Sequence, residues 1–173
     1  MSSLPSQTVG PFFHFALTAN HALGCMAGPE AAGERIQLRI TLLDGDGAPV
    51  PDGMIELWQA DAAGRYEAGD PGFCGFGRLA TNREGRCTFH TVRPGRVHGQ
   101  AAHISVSVFA RGLLGRLCTR VYFEGGEGLE SDAVLALVPA ERRRTLMARR
   151  GATGIWDFVI HLQGGEETVF FDV

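Results

Sequence analysis

Apolar and polar residues alternate with a period of two along most of the chain, and this pattern predicts β-strands. Residues 35–44 show it clearly, because every second residue from Ile36 to Leu42 is apolar and the residues between them are polar. Further strands are predicted at residues 54–60, 86–92, 103–110, 116–123, 155–163 and 168–173. Short strands separated by turn residues are typical of all-β proteins, so we predict an all-β fold, an antiparallel β-sandwich.

A turn and a helix complete the predicted core. The DGDG segment at residues 44–47 is a strong signal for a hairpin turn after the first strand. One short helix is predicted between Pro139 and Arg150. Proline suits its first turn, Glu141 lies near its positive end, arginines occupy its last turn, and Gly151 can end it.

The start of the chain is less regular and rich in small residues. We therefore expect residues 1–34 to form an extended N-terminal arm and residues 35–173 to form the β-sandwich domain. Phe12, Phe13 and Phe15 follow a Gly-Pro turn pair in this arm. Aromatic side chains near a chain end need a surface to bury against, either on the same chain or on a partner.

Composition and charge narrow the class of protein. A chain of 173 residues with 45% apolar and 20% charged residues has the length for one globular domain with a sizeable core. Its net charge of −3 indicates neither a nucleic-acid partner nor a membrane surface. The 4 cysteines form no C-x-x-C pair, and no charged segment precedes a long apolar run. We therefore expect a cytoplasmic protein with free thiols.

His103 and Tyr66 are the candidate chemical residues. Two ligands two residues apart on a strand lie on one face, about 7 Å apart, so an H-x-H pair can bind one metal. Here the second position is Ser105, and a hydroxyl is a poor ligand for a transition metal. His103 is either a ligand with companions elsewhere or a hydrogen-bonded structural histidine. Tyr66 is either a packing residue or a phenolate ligand of a ferric ion.

Several stretches together resemble the intradiol ring-cleaving dioxygenases. They are PSQTVGPFFHF, IELWQADAAGRY, FGRLATNREGRCTFHTVRPG, AAHISVSVFARG, TRVYF and GEETVFF, and they run from Ser6 to Phe171. WQADAAGRY and the T-x-x-PG segment resemble the family at large. SQTVGPF, HISVSVFARG and GEETVFF are similar to the alpha chains of those members that act on protocatechuate (3,4-dihydroxybenzoate).

This resemblance implies an enzyme of paired alpha and beta chains, assembled into larger oligomers. The beta chain would hold a non-haem Fe(III) ion with two tyrosines and two histidines. The enzyme would open the ring of its small aromatic substrate with O2 and give 3-carboxymuconate. The alpha chain would wall the substrate pocket and scaffold the assembly, with its arm, residues 1–34, packed on the partner chain.

Carried over residue by residue, the resemblance leaves half of the iron ligands in this chain. Tyr66 matches a tyrosine ligand and His103 a histidine ligand, whereas the other two positions fall on Val97 and Ser105. Gln100 stands where the catalytic chain has an arginine. One phenolate and one imidazole offset little of the charge of Fe(III) and define its geometry poorly. We therefore expect no complete catalytic set and no iron in this chain.

The resemblance also implies which residues reach the partner's active site. Thr8, Gly10, Pro11 and Phe12 would approach the substrate on the partner's iron, and glycine lets the backbone come close to a ligand. Arg111 would lie at the mouth of the same cleft and hold the carboxylate of an anionic substrate. An ordinary surface salt bridge is the alternative role for Arg111.

Two other interpretations stay open on the sequence. In the first, the chain is a self-sufficient dioxygenase with iron held by Tyr66, His103 and further ligands. In the second, it is a non-enzymatic β-sandwich binding module. The iron content of the isolated chain tests the first, and a beta-type sequence encoded alongside tests the second.

Overall fold

The computed structural model describes residues 11–66 and 70–172, with the backbone alone at residues 11–14. Its strands are β1 (Arg35–Leu43), β2 (Met54–Gln59), β3 (Phe76–Ala80), β4 (Arg86–Val92), β5 (His103–Phe109), β6 (Leu117–Phe123), β7 (Met147–Arg150) and β8 (Ile155–His161). The α-helices are α1 (Pro11–Thr18) and α2 (Ala133–Ala136), with 3-10 helices at His21–Gly24, Leu129–Ser131 and Arg143–Leu146. The all-β class is confirmed. No helix within the described ranges is long and apolar enough to cross a membrane.

The strands follow one hydrogen-bonded order, β3-β2-β5-β6-β7-β8-β1-β4. Most neighbours are antiparallel, but β1 and β8 are parallel, and so are β6 and β7. The sheet is therefore mixed, and the purely antiparallel arrangement that the sequence predicts is not found. The end strands β3 and β4 also contact each other, so the sheet curls around one core.

The inner faces of the strands build that core, as the alternation predicts. Ile36, Leu38, Ile40 and Leu42 of β1 are all at most 3% exposed, while the polar residues between them face outward. Across the core, Phe123 and Trp156 meet edge to face with ring centroids 5.1 Å apart. Because the inner face of each strand packs into this core, the opposite face is the one available for a functional site.

The predicted helix between Pro139 and Arg150 is wrong. Residues 143–146 form a 3-10 helix, and residues 147–150 form β7. Ala148 is fully buried, its strand pairs with β6 on one side and β8 on the other, and its carbonyl oxygen accepts a hydrogen bond from the Glu124 N–H. Pairing with two strands outweighs the local helix preference of this arginine-rich segment.

One strand prediction also differs from the structure, whereas the predicted turn is confirmed. Residues 168–173 were expected as a strand, but the part described makes only an isolated bridge between Phe171 and Cys118. The turn at residues 44–47 forms, with the Asp44 carboxylate accepting hydrogen bonds from the N–H groups of Asp46 and Ala48. It closes a short hairpin in which Leu43 and Pro49 form an antiparallel bridge, whereas β2 itself pairs with β3 and β5.

The first described residues run along the body of the protein. Helix α1 and the following 3-10 helix both contact β3. Met26 is 1% exposed and joins the main core, and Ala27 and Ala31 pack against Val92. Residues 1–10 lie outside the described part, so packing of the arm on a partner chain stays a prediction.

Candidate functional site

The outer face of three neighbouring strands carries the residues singled out in the sequence. In β5, His103 and Ser105 point away from the core, since the residue between them, Ile104, is fully buried. The strand register sets Ser105 opposite Trp58 of β2 and opposite Arg120 of β6. Side chains directly opposite each other on neighbouring strands are in contact range. This face is called the β5 outer face below.

A loop after β2 brings Tyr66 onto the β5 outer face. The carboxylate of Asp61, which is 3% exposed, accepts hydrogen bonds from the Ala63 and Arg65 N–H groups, both at 2.9 Å. Gly64 has φ +79°, and a Cβ there would lie 2.0 Å from the Arg96 carbonyl oxygen. Only glycine fits this close turn, so the turn residues of WQADAAGRY place Tyr66.

Tyr66 and His103 meet on this face. The Tyr66 Oη atom lies 3.5 Å from His103 Nε2, and the Tyr66 ring stacks on Trp58 with centroids 6.3 Å apart. His103 Nδ1 lies 2.9 Å from the Ala101 carbonyl oxygen, which can only accept, so Nδ1 carries the proton. The two residues that keep ligand-type positions are therefore adjacent in space.

Both groups are held neutral by their surroundings. Burial lowers the pKa of His103 below its usual value, and the charge of Arg120 lowers it further, against the raising effects of the Ala101 carbonyl and Asp132. Burial raises the pKa of Tyr66, and Arg120 only partly opposes that rise. At neutral pH the pair is therefore an imidazole and a phenol.

Val97 and Ser105, the other positions singled out by the resemblance, hold groups that do not suit iron. Val97 is 7% exposed and packs as an apolar residue, and the Gln100 N–H donates to its carbonyl oxygen at 2.8 Å. Ser105 faces Arg120 across the strand pair. The Gln100 side-chain oxygen accepts a hydrogen bond from Arg120 Nη1 at 2.7 Å. The Arg120 guanidinium thus stands close to Tyr66 and His103.

Asp132 and Tyr122 support the site from behind, and the sequence reasoning missed both. Asp132 is fully buried and caps α2 by accepting hydrogen bonds from the Val134 and Leu135 N–H groups. It also accepts from the Ala101 N–H at 2.8 Å and from the Tyr122 hydroxyl at 3.2 Å. An aspartate directly before an apolar run is a helix N-cap signal that was available in the sequence.

Hydrogen bonds stabilise the negative charge of Asp132 in its buried position. Burial alone would raise the pKa of Asp132, but hydrogen bonds from the backbone of Leu135 and Ala101 and from Tyr122 bring it below its usual value. The pKa of Tyr122 moves in the opposite direction from its usual value, because burial raises it to about 12. The ionised carboxylate fixes Ala101, two residues before His103.

These residues do not fit a ferric ion. Within the described ranges, no group of three or more His, Cys, Asp and Glu side chains is placed to hold a metal. Tyr66 and His103 supply one oxygen and one nitrogen, and the Arg120 guanidinium adds positive charge beside them. Fe(III) needs anionic ligands to offset its charge, so a neighbouring cation opposes its binding.

Of the remaining predicted residues, Arg111 lies away from this face. Arg111 follows the end of β5, whereas His103 begins it, and a strand of this length separates them by about 20 Å. Arg111 forms an ion pair with Asp52 in which both side chains are partly exposed. Thr8 and Gly10 lie outside the described residues, and Pro11 and Phe12 begin α1 with side chains that are also outside them.

Comparison with known proteins agrees with the resemblance to the intradiol dioxygenases. The sequence profile of the family described as Dioxygenase matches residues 8–162. The chain is 41% identical over 194 residues to the protocatechuate 3,4-dioxygenase alpha chain of Burkholderia cepacia, covering 100% of this chain and 98% of that protein. It is 40% identical to the alpha chain of Pseudomonas putida, over 97% of this chain and 95% of that protein. Identity to the Burkholderia cepacia beta chain is 34%, over 94% of this chain and 77% of that protein.

Solved structures share the fold. The dioxygenase domain of a dioxygenase carbohydrate-binding protein fusion from Streptomyces sp. SirexAA-E superposes with a TM-score of 0.68 at 25% identity, covering 82% of this chain and 88% of that one. The 3-chlorocatechol 1,2-dioxygenase of Rhodococcus opacus 1CP gives a TM-score of 0.64 at 24% identity, covering 79% and 63%.

Proposed function

The chain belongs to the dioxygenase family of intradiol ring-cleaving enzymes, and from that premise we propose that it is the alpha subunit of a protocatechuate 3,4-dioxygenase. The β5 outer face carries this proposal. Tyr66 and His103 meet there, but Ser105 and Val97 stand at the other ligand positions and Arg120 adds a positive charge. A chain with this face is suited to a subunit that does not bind the iron.

The proposed reaction belongs to a pair of chains. The family depends on non-haem iron, and Fe(III) would be held by an iron-bearing beta subunit. The pair would cleave 3,4-dihydroxybenzoate with O2, between the two hydroxyl-bearing carbons, to 3-carboxy-cis,cis-muconate. Both oxygen atoms enter the product. This chain would scaffold a larger oligomer of such pairs.

The contribution of this chain to the pocket would come from its N-terminal arm and from Arg111. Thr8, Gly10, Pro11 and Phe12 would form part of the wall around the substrate. The ion pair of Arg111 with Asp52 does not seal the guanidinium, because 65% of the Arg111 side chain is exposed. Arg111 would therefore be available to an anionic substrate at the cleft mouth.

Iron content separates this proposal from a self-sufficient enzyme. The chain would be purified alone and then after co-expression with a candidate beta chain, and iron and visible absorbance would be measured for each. The proposal expects no iron in the chain alone. It expects about one ferric ion per pair, with a tyrosinate charge-transfer band. Stoichiometric iron in the isolated, coloured chain would overturn it, and no iron in a stable pair would point to a binding module.

A further inference from the structure

Arg120 presents a hydrogen-bonding edge on the β5 outer face that no described residue uses. We propose that the cavity beside Arg120 binds a small carboxylate with an apolar body, which takes both N–H groups of that edge. The site belongs to this chain alone, so the proposal goes beyond the pairing with an iron-bearing subunit and is tested separately from it.

The hydrogen bonds of Arg120 leave one side of its guanidinium unoccupied. Nη1 donates to Gln100 Oε1 at 2.7 Å and lies 3.5 Å from the Tyr122 hydroxyl oxygen. No described residue accepts from Nε or Nη2, and neither atom is sealed inside the protein without a partner. No carboxylate of the described residues lies within ion-pair distance of Arg120. Gln100 thus orients the guanidinium while leaving its Nε and Nη2 edge open.

The same edge binds a carboxylate elsewhere in this protein. Arg39 donates from Nε to Asp157 Oδ1 and from Nη2 to Oδ2, both at 2.7 Å. Two parallel N–H···O bonds of this kind match the planar geometry of a carboxylate and are stronger than neutral hydrogen bonds. Arg120 carries the same fork, and no acid among the described residues fills it.

The cavity beside Arg120 has the charge and walls for such a ligand. It has a volume of about 500 Å³. Arg116 adds a second positive charge, and Asp172 is the acidic residue in the lining, at an exposed position. Val134, Leu137 and Phe171 supply the apolar side, and Leu137 is 82% exposed. A cation facing an apolar wall favours a carboxylate on a hydrophobic body over a fully hydrated anion.

Binding of benzoate to the full-length chain tests the proposal, with benzamide as the uncharged analogue of the same shape. Isothermal titration calorimetry is expected to show saturable binding of benzoate at one site and at least tenfold weaker binding of benzamide. Arg120→Gln is expected to weaken benzoate binding about tenfold or more, since it removes the charge-assisted pair. Arg116→Gln, which removes the same charge from the same cavity, is expected to change the affinity less than threefold.

A second variant keeps the test decisive if Arg120→Gln does not fold, as judged by circular dichroism. Gln100→Glu leaves Arg120 in place but sets an internal carboxylate against its guanidinium, so benzoate binding is expected to weaken several-fold. Absence of saturable benzoate binding to the native chain would overturn the proposal. Equal affinities for benzoate and benzamide would do the same, as would an equal loss in the Arg116→Gln and Arg120→Gln variants.

Discussion

His103, which the resemblance matches to a metal ligand, lies in a setting that suits a neutral, buried residue. Its Nδ1–H is held by the Ala101 carbonyl, its Nε2 faces the Tyr66 hydroxyl, and 4% of its surface is exposed. The charge of Arg120 opposes a positive charge on His103, and the Ala101 carbonyl and Asp132 offset the lowering of its pKa only in part. Protonation of His103 is therefore disfavoured by burial and by charge together.

This setting makes a prediction about pH. The folded pKa of His103 lies below the unfolded value of 6.5, so below pH 6.5 the unfolded chain binds more protons than the folded one. Stability is then lost as the pH falls from 6.5 through the lowered folded pKa. His103→Gln is expected to flatten this part of the profile of unfolding free energy, measured by urea denaturation. His90→Gln, at an exposed strand position, is the control, and an unchanged slope in His103→Gln would contradict the assignment.

Asp132 carries a second prediction at this scale. Its carboxylate accepts from three backbone N–H groups and from Tyr122, and Asp132→Asn would turn an NH2 group toward one of these donors. We expect a loss of about 3 kcal/mol in the free energy of unfolding, because a buried donor is left unpaired. Glu130→Gln, an exposed acid close by, is the control and should change little. Equal unfolding midpoints for the two variants would show that Asp132 does not hold this corner.

At the scale of elements, the surroundings of each strand depend on the strands with which it pairs. β8 shows this, since it pairs in parallel with β1 and antiparallel with β7. Its alternation places Ile160 in the core, fully buried, and Val159 outward at 43% exposed. Neighbouring residues of similar size on one strand therefore have very different surroundings.

The contrast between these two residues is a direct test of the register. Ile160→Ala is expected to cost about 2–5 kcal/mol, because it leaves a cavity in the main core. Val159→Ala is expected to stay within about 0.5 kcal/mol, as surface substitutions usually do. Urea unfolding of both variants measures the difference. Similar losses in the two variants would mean that the faces of β8 are wrongly assigned.

At the scale of the whole molecule, the described residues form one curled sheet around a core, with Tyr66 and His103 together on its outer face. Its similarity to alpha chains extends over its full length, and to a beta chain over 94% of it. The proposed role therefore lies in what the chain contributes to a partner. The N-terminal arm and Arg111 are the parts proposed to contribute to the partner's substrate pocket.

Removal of the arm tests this contribution. In a co-expressed pair, deletion of residues 1–12 is expected to leave the iron content of the partner unchanged and to raise the KM for 3,4-dihydroxybenzoate. The physical reason is the loss of pocket wall without loss of any metal ligand. Deletion of residues 1–4, which keeps the SQTVGPF segment, is the control. Unchanged kinetics in the longer deletion, in a pair that still assembles, would exclude the arm from the substrate pocket.

Local pattern determined much of this protein. The period of two in β1 identified the buried face from Ile36 to Leu42, and Tyr66 with His103 was picked out by motif. These features are local, so neighbouring residues are sufficient to specify them.

The tertiary structure alone decided the rest, because strand pairing is not a local property. The segment of β7 has the composition of a helix, and its pairing with β6 and β8 made it a strand. The hydrogen-bond register between β5 and β6 set Arg120 opposite Ser105, and a shift of one residue would have turned it into the core. The sequence by itself determined which residues stand at positions 66 and 103, and only the packed sheet decided that they meet with a guanidinium beside them.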